Sequence, residues 1–402
     1  MADVRPFRAL RPRNELAAAV IAPPYDVLTE DEARTLARNP HSFVHVTRSE
    51  VDLPPGADPH ADAAYQQARL NLDALRASGV LVQDAEPTFY LYGQRMGEHR
   101  QLGVLAACSV AEYDAGTIRK HEHTRPDKED DRTHHMEVLD AQVGLVFLAC
   151  APHPRLSGQI ARLASVAPAW RVTTEDGVEH ALWPVPASEV AALQALFAEL
   201  PCLYVADGHH RSAAASRVHA HRKTPGTATF LAGIFPADQL QVMAYNRVVH
   251  DLNGHAPASF LAEVGARFEI SPGAPTPSAR QRFSMYFQGA WHTLEPRAGL
   301  FDANDPVARL DVSILQDHLL APILGIDDPR RSERISFVGG IRGHAALSAA
   351  VDAGAAVAFH LYPTGLDQLF DVADAGEVMP PKSTWFEPKL REGVVVRLLD
   401  EA

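Results

Sequence analysis

One short run concentrates groups that could do chemistry: Ala206-Asp207-Gly208-His209-His210-Arg211. It follows an apolar stretch, Cys202-Leu203-Tyr204-Val205, that reads as a buried strand. It precedes an Ala-rich stretch, Ser212 to Val218, that reads as a helix. Strand, Gly turn and helix start together make an anion site. The first-turn N–H groups lack helical partners, and the helix dipole favours negative charge there. Gly208 lets the backbone approach an anion closely. Arg211 can grip a phosphate with two parallel N–H bonds. His209 and His210 can donate to oxygen or, when neutral, ligate a metal. Asp207 can hold a divalent ion or orient an imidazole.

Three further runs carry candidate groups. The first is Lys120-His121-Glu122-His123-Thr124, followed by Asp130-Asp131-Arg132-Thr133-His134-His135. A carboxylate between two imidazoles suits a general base or a metal ligand. The spacing is not that of an HExxH helix, so the two halves meet only if the chain turns back. The second is Met379 to Lys389, in which Lys382, Ser383, Thr384 and Lys389 sit on a Pro-stiffened loop with Trp385 and Phe386. Such a loop could close over a polyanion, or its aromatic rings could simply pack on the core. The third is Ala22-Pro23-Pro24-Tyr25-Asp26-Val27, an extended turn whose Tyr25 and Asp26 could line a substrate pocket.

These runs need elements to position them. A Thr29-Glu30-Asp31-Glu32 capping box predicts a helix after Thr29. Tyr65, Ala68, Leu72 and Leu75 share one face of a helix over 60–78, closed by Gly79. Hairpins are expected around Met96-Gly97-Glu98-His99 and at Asp176-Gly177. A helix is expected from about Lys128, then a strand over 143–150, a helix from Ser188, and strands at 227–235 and 240–249. Beyond 250 come a helix at 257–268, a strand pair at 283–296, an apolar helix at 310–324, strands near 335 and 357, a helix at 365–376, and a last strand at 394–399. The fold class is α+β, with mixed sheets and helices packed on them. The order is too irregular for a doubly wound sheet, and no GxGxxG or Walker loop occurs.

Composition narrows the functions. The chain has 402 residues, 46% apolar and 22% charged, and its net charge of -13 argues against a nucleic-acid partner or an anionic membrane surface. No apolar run is long enough for a transmembrane helix, and the N-terminus does not read as a signal peptide. Cys108, Cys150 and Cys202 each lie in an apolar run without zinc spacing, which is expected of buried thiols in a reducing cytoplasm. No GxSxG element supports a seryl nucleophile.

The set APPYDV at 22–27, HEHT with a later DR at 121–132, ADGHHR at 206–211, LDVSIL at 310–315 and MPPKSTWFEPKL at 379–390 resembles the bacterial and archaeal family known as domain of unknown function 1015. More distantly, Asp-Gly-His-His-Arg-x-x-Ala at 207–214 resembles the phosphate box of the ParB/sulfiredoxin superfold, which includes free L-serine kinases. That resemblance implies a ParB/sulfiredoxin-like core at 116–250, an N-terminal α/β region at 1–115 and a C-terminal α+β region at 251–402 closing the site. It implies nucleotide phosphates on Gly208, His210 and Arg211, and the residue types at Arg132, Lys382, Ser383, Thr384 and Lys389 make these the further phosphate contacts expected. Glu122, Asp207 and His209 take the catalytic roles, Glu122 as the base for an acceptor hydroxyl. Tyr25, Asp26, His121, His123 and Thr124 would contact the acceptor. The expected reaction is phosphoryl transfer from ATP or ADP, with Mg²⁺, to a small molecule, free L-serine above all. A homodimer is one permitted assembly. The box lacks the Cys that sulfiredoxin chemistry needs, and the chain lacks the helix-turn-helix of partition proteins. Two other readings stay open: a metal-dependent hydrolase on the paired histidines, with the metal unassigned, and a non-catalytic nucleotide sensor.

Overall fold

The structure is a computed structural model that describes residues 2–399. The chain divides into two compact units, residues 1–240 with 388–402, and residues 241–387.

The first unit is built on a nine-stranded mixed sheet. Its strands are β1 (Val4–Arg5), β2 (Tyr90–Met96), β3 (His99–Ser109), β4 (Ile118–Arg119), β5 (Val146–Cys150), β6 (Trp170–Thr173), β7 (Glu179–Pro184), β8 (Leu203–Asp207) and β9 (Thr229–Pro236). The order is β4-β8-β5-β9-β3-β2-β7-β6, with β1 added on β3. The β8–β4 and β9–β5 pairs are parallel and the other pairs antiparallel. The expected segments 1–115 and 116–250 therefore share one sheet up to residue 240. β3 from the first pairs along its length with β9 from the second, Thr229 facing Ser109 and Ile234 facing Val104.

Four helices matter for the site: α1 (Asp62–Ala77), α2 (Pro126–Leu139), α3 (Ala187–Ala198) and α4 (His209–Arg222). The face expected of α1 is the one buried, with Tyr65, Ala68, Leu72 and Leu75 all covered. The capping box at Thr29 forms in both directions. α2 starts two residues earlier than the sequence indicates, because Pro126 occupies the first turn, where its missing N–H costs nothing. One apolar cluster joins Val146, Leu148 and Cys150 of β5, Val205 of β8 and Phe230, Ala232 and Ile234 of β9 to Leu193 and Phe197 of α3 and Ala214, Ala215 and Val218 of α4. Each large side chain so buried contributes about 1.5–3 kcal/mol. Cys108 and Cys150 are buried as expected, whereas Cys202 is half-buried.

The end of the chain returns to this unit. The strand expected over 394–399 is instead a thread that changes partners. Glu392 bridges Ala22, Val396 bridges Leu10, and Arg397–Leu398 pairs with Ala141–Gln142. Val394, Val395 and Val396 are fully buried along it.

The second unit holds a six-stranded sheet of β10 (Tyr245–Val249), β11 (Phe268–Pro272), β12 (Phe283–Phe287), β13 (Ala290–Pro296), β14 (Ile335–Gly339) and β15 (Val357–His360), in the order β11-β13-β12-β15-β10-β14, antiparallel throughout. The apolar segment after Leu310 is regular α-helix only over Asp311–Leu315 and widens to a π turn over Gln316–Leu320, where the Ala321 N–H reaches the Gln316 carbonyl. Among the described residues no helix is long and apolar enough to cross a membrane.

Candidate functional site

The chemistry-bearing run is a strand-to-helix turn, as its sequence indicates. β8 ends at Asp207 with a register shift against β5. Gly208 then takes φ +94°, ψ 28°, and His209 opens the fourteen-residue α4. A side chain at Gly208 would be strained by that φ and would meet Arg211 Nε at 3.0 Å. The turn faces other parts of the first unit with three distinct groups.

The first group is imidazole and carboxylate. His121, Glu122 and His209 each offer a ligand atom, and these atoms lie within 4.8 Å of one another. The His121 and His209 rings meet edge to face at 4.5 Å. His121 Nδ1 and both ring nitrogens of His209 are buried without a hydrogen-bond partner. Burial holds His121 neutral, down to about 4, against the opposing pull of the Val205 backbone and the Asp207 charge. Burial and the neighbouring His121 also push His209 well below the usual imidazole range. Both rings therefore keep a lone pair free for a metal ion or a proton.

The second group is a cation pair around Asp207. Lys389 Nζ donates to Asp207 Oδ2 at 3.1 Å, and Arg211 Nη2 stands 3.9 Å from Oδ1. Burial alone would raise the Asp207 carboxyl, but Lys389 and Arg211 hold it below the usual carboxylate range. Asp207 is thus a fixed anion at a cationic turn.

The third group is a pocket lined by Tyr25, Arg132, His135, Gly144, Arg211 and Glu392, among others. The Arg132 guanidinium lies over the Tyr25 ring at 4.1 Å. Glu392 is buried, 3% exposed. Burial pushes its carboxyl up to about 7, against the pull of a Thr47 hydrogen bond and the Arg211 charge.

Several expected contacts have other partners. His210 Nε2 accepts the Arg125 backbone N–H at 3.1 Å, so this ring braces the 121–125 loop on α4. The Thr124 hydroxyl donates to Glu129, and His123 is exposed. Arg132 pairs with Asp131 Oδ2 at 2.6 Å, which leaves part of its fork for the pocket. Asp26 is exposed beside Tyr25, and its charge acts on both Arg211 and Glu392.

Lys382, Ser383 and Thr384 belong to the second unit. Lys382 Nζ stands 5.3 Å from the Tyr245 ring, and the Lys382 carbonyl accepts from the buried Arg247 at 3.1 Å. The Ser383 hydroxyl donates to the Pro380 carbonyl at 2.5 Å. Tyr245 and Trp385 meet edge to face at 5.0 Å, so the aromatic part of this loop packs within that unit.

The residue that sequence reasoning passed over is Glu392. Its signal was present: a carboxylate in the run Leu390-Arg391-Glu392-Gly393-Val394-Val395-Val396, where an acid is costly to bury without a purpose. Gly144 also went unmarked, although a Cβ there would meet Arg211 Cδ at 3.1 Å.

Residues 4–313 match the family described as "Protein of unknown function (DUF1015)". No curated protein matches the chain. Among solved structures, a C-terminally truncated SbnI from Staphylococcus aureus is similar at 13% identity and TM-score 0.43, covering 74% of this chain and 89% of that one. A conserved hypothetical protein from Pyrococcus furiosus is similar at 11% identity and TM-score 0.36, covering 74% and 96%. A free serine kinase in complex with AMP is similar at 10% identity and TM-score 0.34, covering 71% and 86%. Likenesses this slight leave the chemistry to be argued from the side chains.

Proposed function

The chain belongs to the DUF1015 family, and from the geometry of its turn we propose that it is a small-molecule kinase, transferring a phosphoryl group from ATP or ADP to a hydroxyl acceptor such as free L-serine. The observation that carries this is the meeting of Glu122 with His209 at the start of α4, beside the cationic turn of Asp207, Gly208, Arg211 and Lys389. Phosphoryl transfer asks for positioning and charge neutralisation more than covalent chemistry. The first-turn N–H groups, Arg211 and Lys389 supply positive charge for the donor's phosphates. Glu122 takes the hydroxyl proton as the acceptor oxygen bonds to phosphorus and the donor's terminal P–O bond breaks.

Mg²⁺ would neutralise charge on the transferring group, but the His121–Glu122–His209 donor set does not suit it. Two imidazoles and one carboxylate are a set for Zn²⁺ or Mn²⁺, whereas Mg²⁺ wants oxygen ligands. Purified protein given serine, Mg²⁺ and ATP or ADP should yield O-phosphoserine, and Glu122→Gln should abolish turnover while nucleotide still binds. Folded protein that forms no phosphorylated product from any hydroxy amino acid with either nucleotide would refute the reading.

The same donor set favours one second reading, a metal-dependent hydrolase using His121, Glu122 and His209. Elemental analysis of protein prepared without chelators separates the two. Stoichiometric Zn²⁺ or Mn²⁺, lost in His209→Ala, favours the hydrolase, and metal-free protein that turns over with Mg²⁺ and nucleotide favours the kinase.

A further inference from the structure

We propose that the pocket between Arg132, Arg211, Tyr25, Gly144 and Glu392 is a slot for the charged headgroup of an α-amino acid, its carboxylate on the two arginines and its ammonium on Glu392. The inference deepens the kinase reading, on which the reaction at the amino acid's hydroxyl rests.

Opposite charges face this pocket without consuming one another. Among the described residues no ion pair within 4 Å joins Glu392 to Arg132 or Arg211, although each arginine's charge acts on the Glu392 carboxyl. Among the described residues Arg211 donates no side-chain hydrogen bond, and its one ion pair there, to Asp207, is long at 3.9 Å. Arg132 spends Nε and Nη2 on one oxygen of Asp131, at 2.8 and 2.6 Å, and the Tyr25 ring beneath fixes its plane. Glu392 Oε2 is buried with no partner. A buried carboxylate with one oxygen unpaired is costly, and so is a guanidinium kept from its hydration. Both costs are relieved if one ligand brings an anion to the arginines and a cation to the acid.

Gly144 keeps the space open. A Cβ there would lie 3.1 Å from Arg211 Cδ, 3.3 Å from Nη1 and 3.6 Å from Glu392 Oε1, so the gap between the two charges exists because this residue has no side chain. A dicarboxylate would set its second anion against Glu392 and Asp26, and a diamine would set a cation against two guanidinium groups. The zwitterion alone matches both ends. Arg211 also touches the turn, its Nε 3.0 Å from the position of a Gly208 Cβ, so the slot adjoins the turn through this residue. On this arrangement Arg132 serves the acceptor rather than the nucleotide.

The test is calorimetric titration of the full chain, with and without saturating ADP, using L-serine, L-threonine and L-homoserine against ethanolamine and glycerate, which each lack one headgroup charge. At least one amino acid should bind, with both single-charge analogues tenfold weaker or more. Glu392→Gln should weaken the amino acid at least tenfold and remove its advantage over glycerate. Gly144→Ala should also block it, and Glu392→Gln should bind ADP as the parent does. An analogue that binds as tightly as the amino acid, or folded protein that takes up none of the three, overturns the slot. Amino-acid binding without any phosphorylated product refutes the kinase and leaves the slot standing. Equal phosphorylation of ethanolamine and serine does the reverse.

Discussion

Replacing Asp311 by Asn should stabilise the protein, increasingly so as pH rises from about 4 to 7. Asp311 opens the Asp311–Leu315 helix in the second unit and is 5% exposed. Its Oδ1 accepts the Gln281 backbone N–H at 2.9 Å, and its Oδ2 is buried with no partner. Burial pushes the carboxyl up to about 7, against the weaker pull of that hydrogen bond and of Arg280. The unfolded chain ionises at the ordinary 3.8. The folded state thus holds the proton more tightly, and folding costs nothing extra below the unfolded value. As pH rises from there to about 7, stability falls by about 1.4 kcal/mol per pH step and then levels off, a total near 4 kcal/mol. Asn keeps the acceptor for Gln281 and never ionises. Its buried amide poses the same problem as the buried carboxyl proton, so parent and variant should match near pH 4. Calorimetric melting of both proteins from pH 4 to 8 reads the difference directly. A gap between them that stays constant across this range, or a variant that is less stable at pH 8, would show that ionisation of Asp311 does not tax the fold.

Two other outcomes test the first unit. His135 and His180 are buried and held neutral by burial, each down to about 3. The unfolded chain takes up protons that the native chain refuses, so stability should fall below about pH 6.5 by roughly 1.4 kcal/mol per pH step for each ring. Urea midpoints at pH 7, 6 and 5 measure this, and His180→Phe should make the decline shallower. Gly208→Ala should cost about 1–2 kcal/mol, because an L side chain is strained at φ +94° and the new methyl displaces Arg211. A melting curve reports the first effect and an ADP titration the second, and a variant indistinguishable from the parent in both would remove the turn from the proposed nucleotide site.

What could be read from the chain was what nearest neighbours settle. The capping box at Thr29, the buried face of α1, the hairpin of β2 and β3 through Gly97 and the strand-turn-helix at 203–222 all formed where their residue types placed them. Each is decided within a few residues, by a side chain reaching its own backbone or by a repeat that matches the helical period. The α+β class followed from the same local signals.

Beyond that range the chain was ambiguous. Two of the segments expected as separate regions joined in one sheet, because β3 found β9 as its neighbour, and the sequence does not state which strands pair. Exposed-looking polar residues divided in a way no local rule distinguishes: His209 stayed buried and unpartnered, whereas its neighbour His210 was spent on the Arg125 backbone.

By itself, then, the sequence determined that a strand-to-helix turn exists at Asp207 to Arg211, because a glycine between an apolar run and an Ala-rich run marks where the strand ends and the helix begins. Only the tertiary structure decided what that turn faces. Glu122 arrives from a loop before α2 and Glu392 from the last residues of the chain. Their positions depend on sheet order and on a thread that bridges Ala22 and Leu10. Such contacts join residues far apart in the chain, and their energy resides in the packed fold rather than in any segment of it.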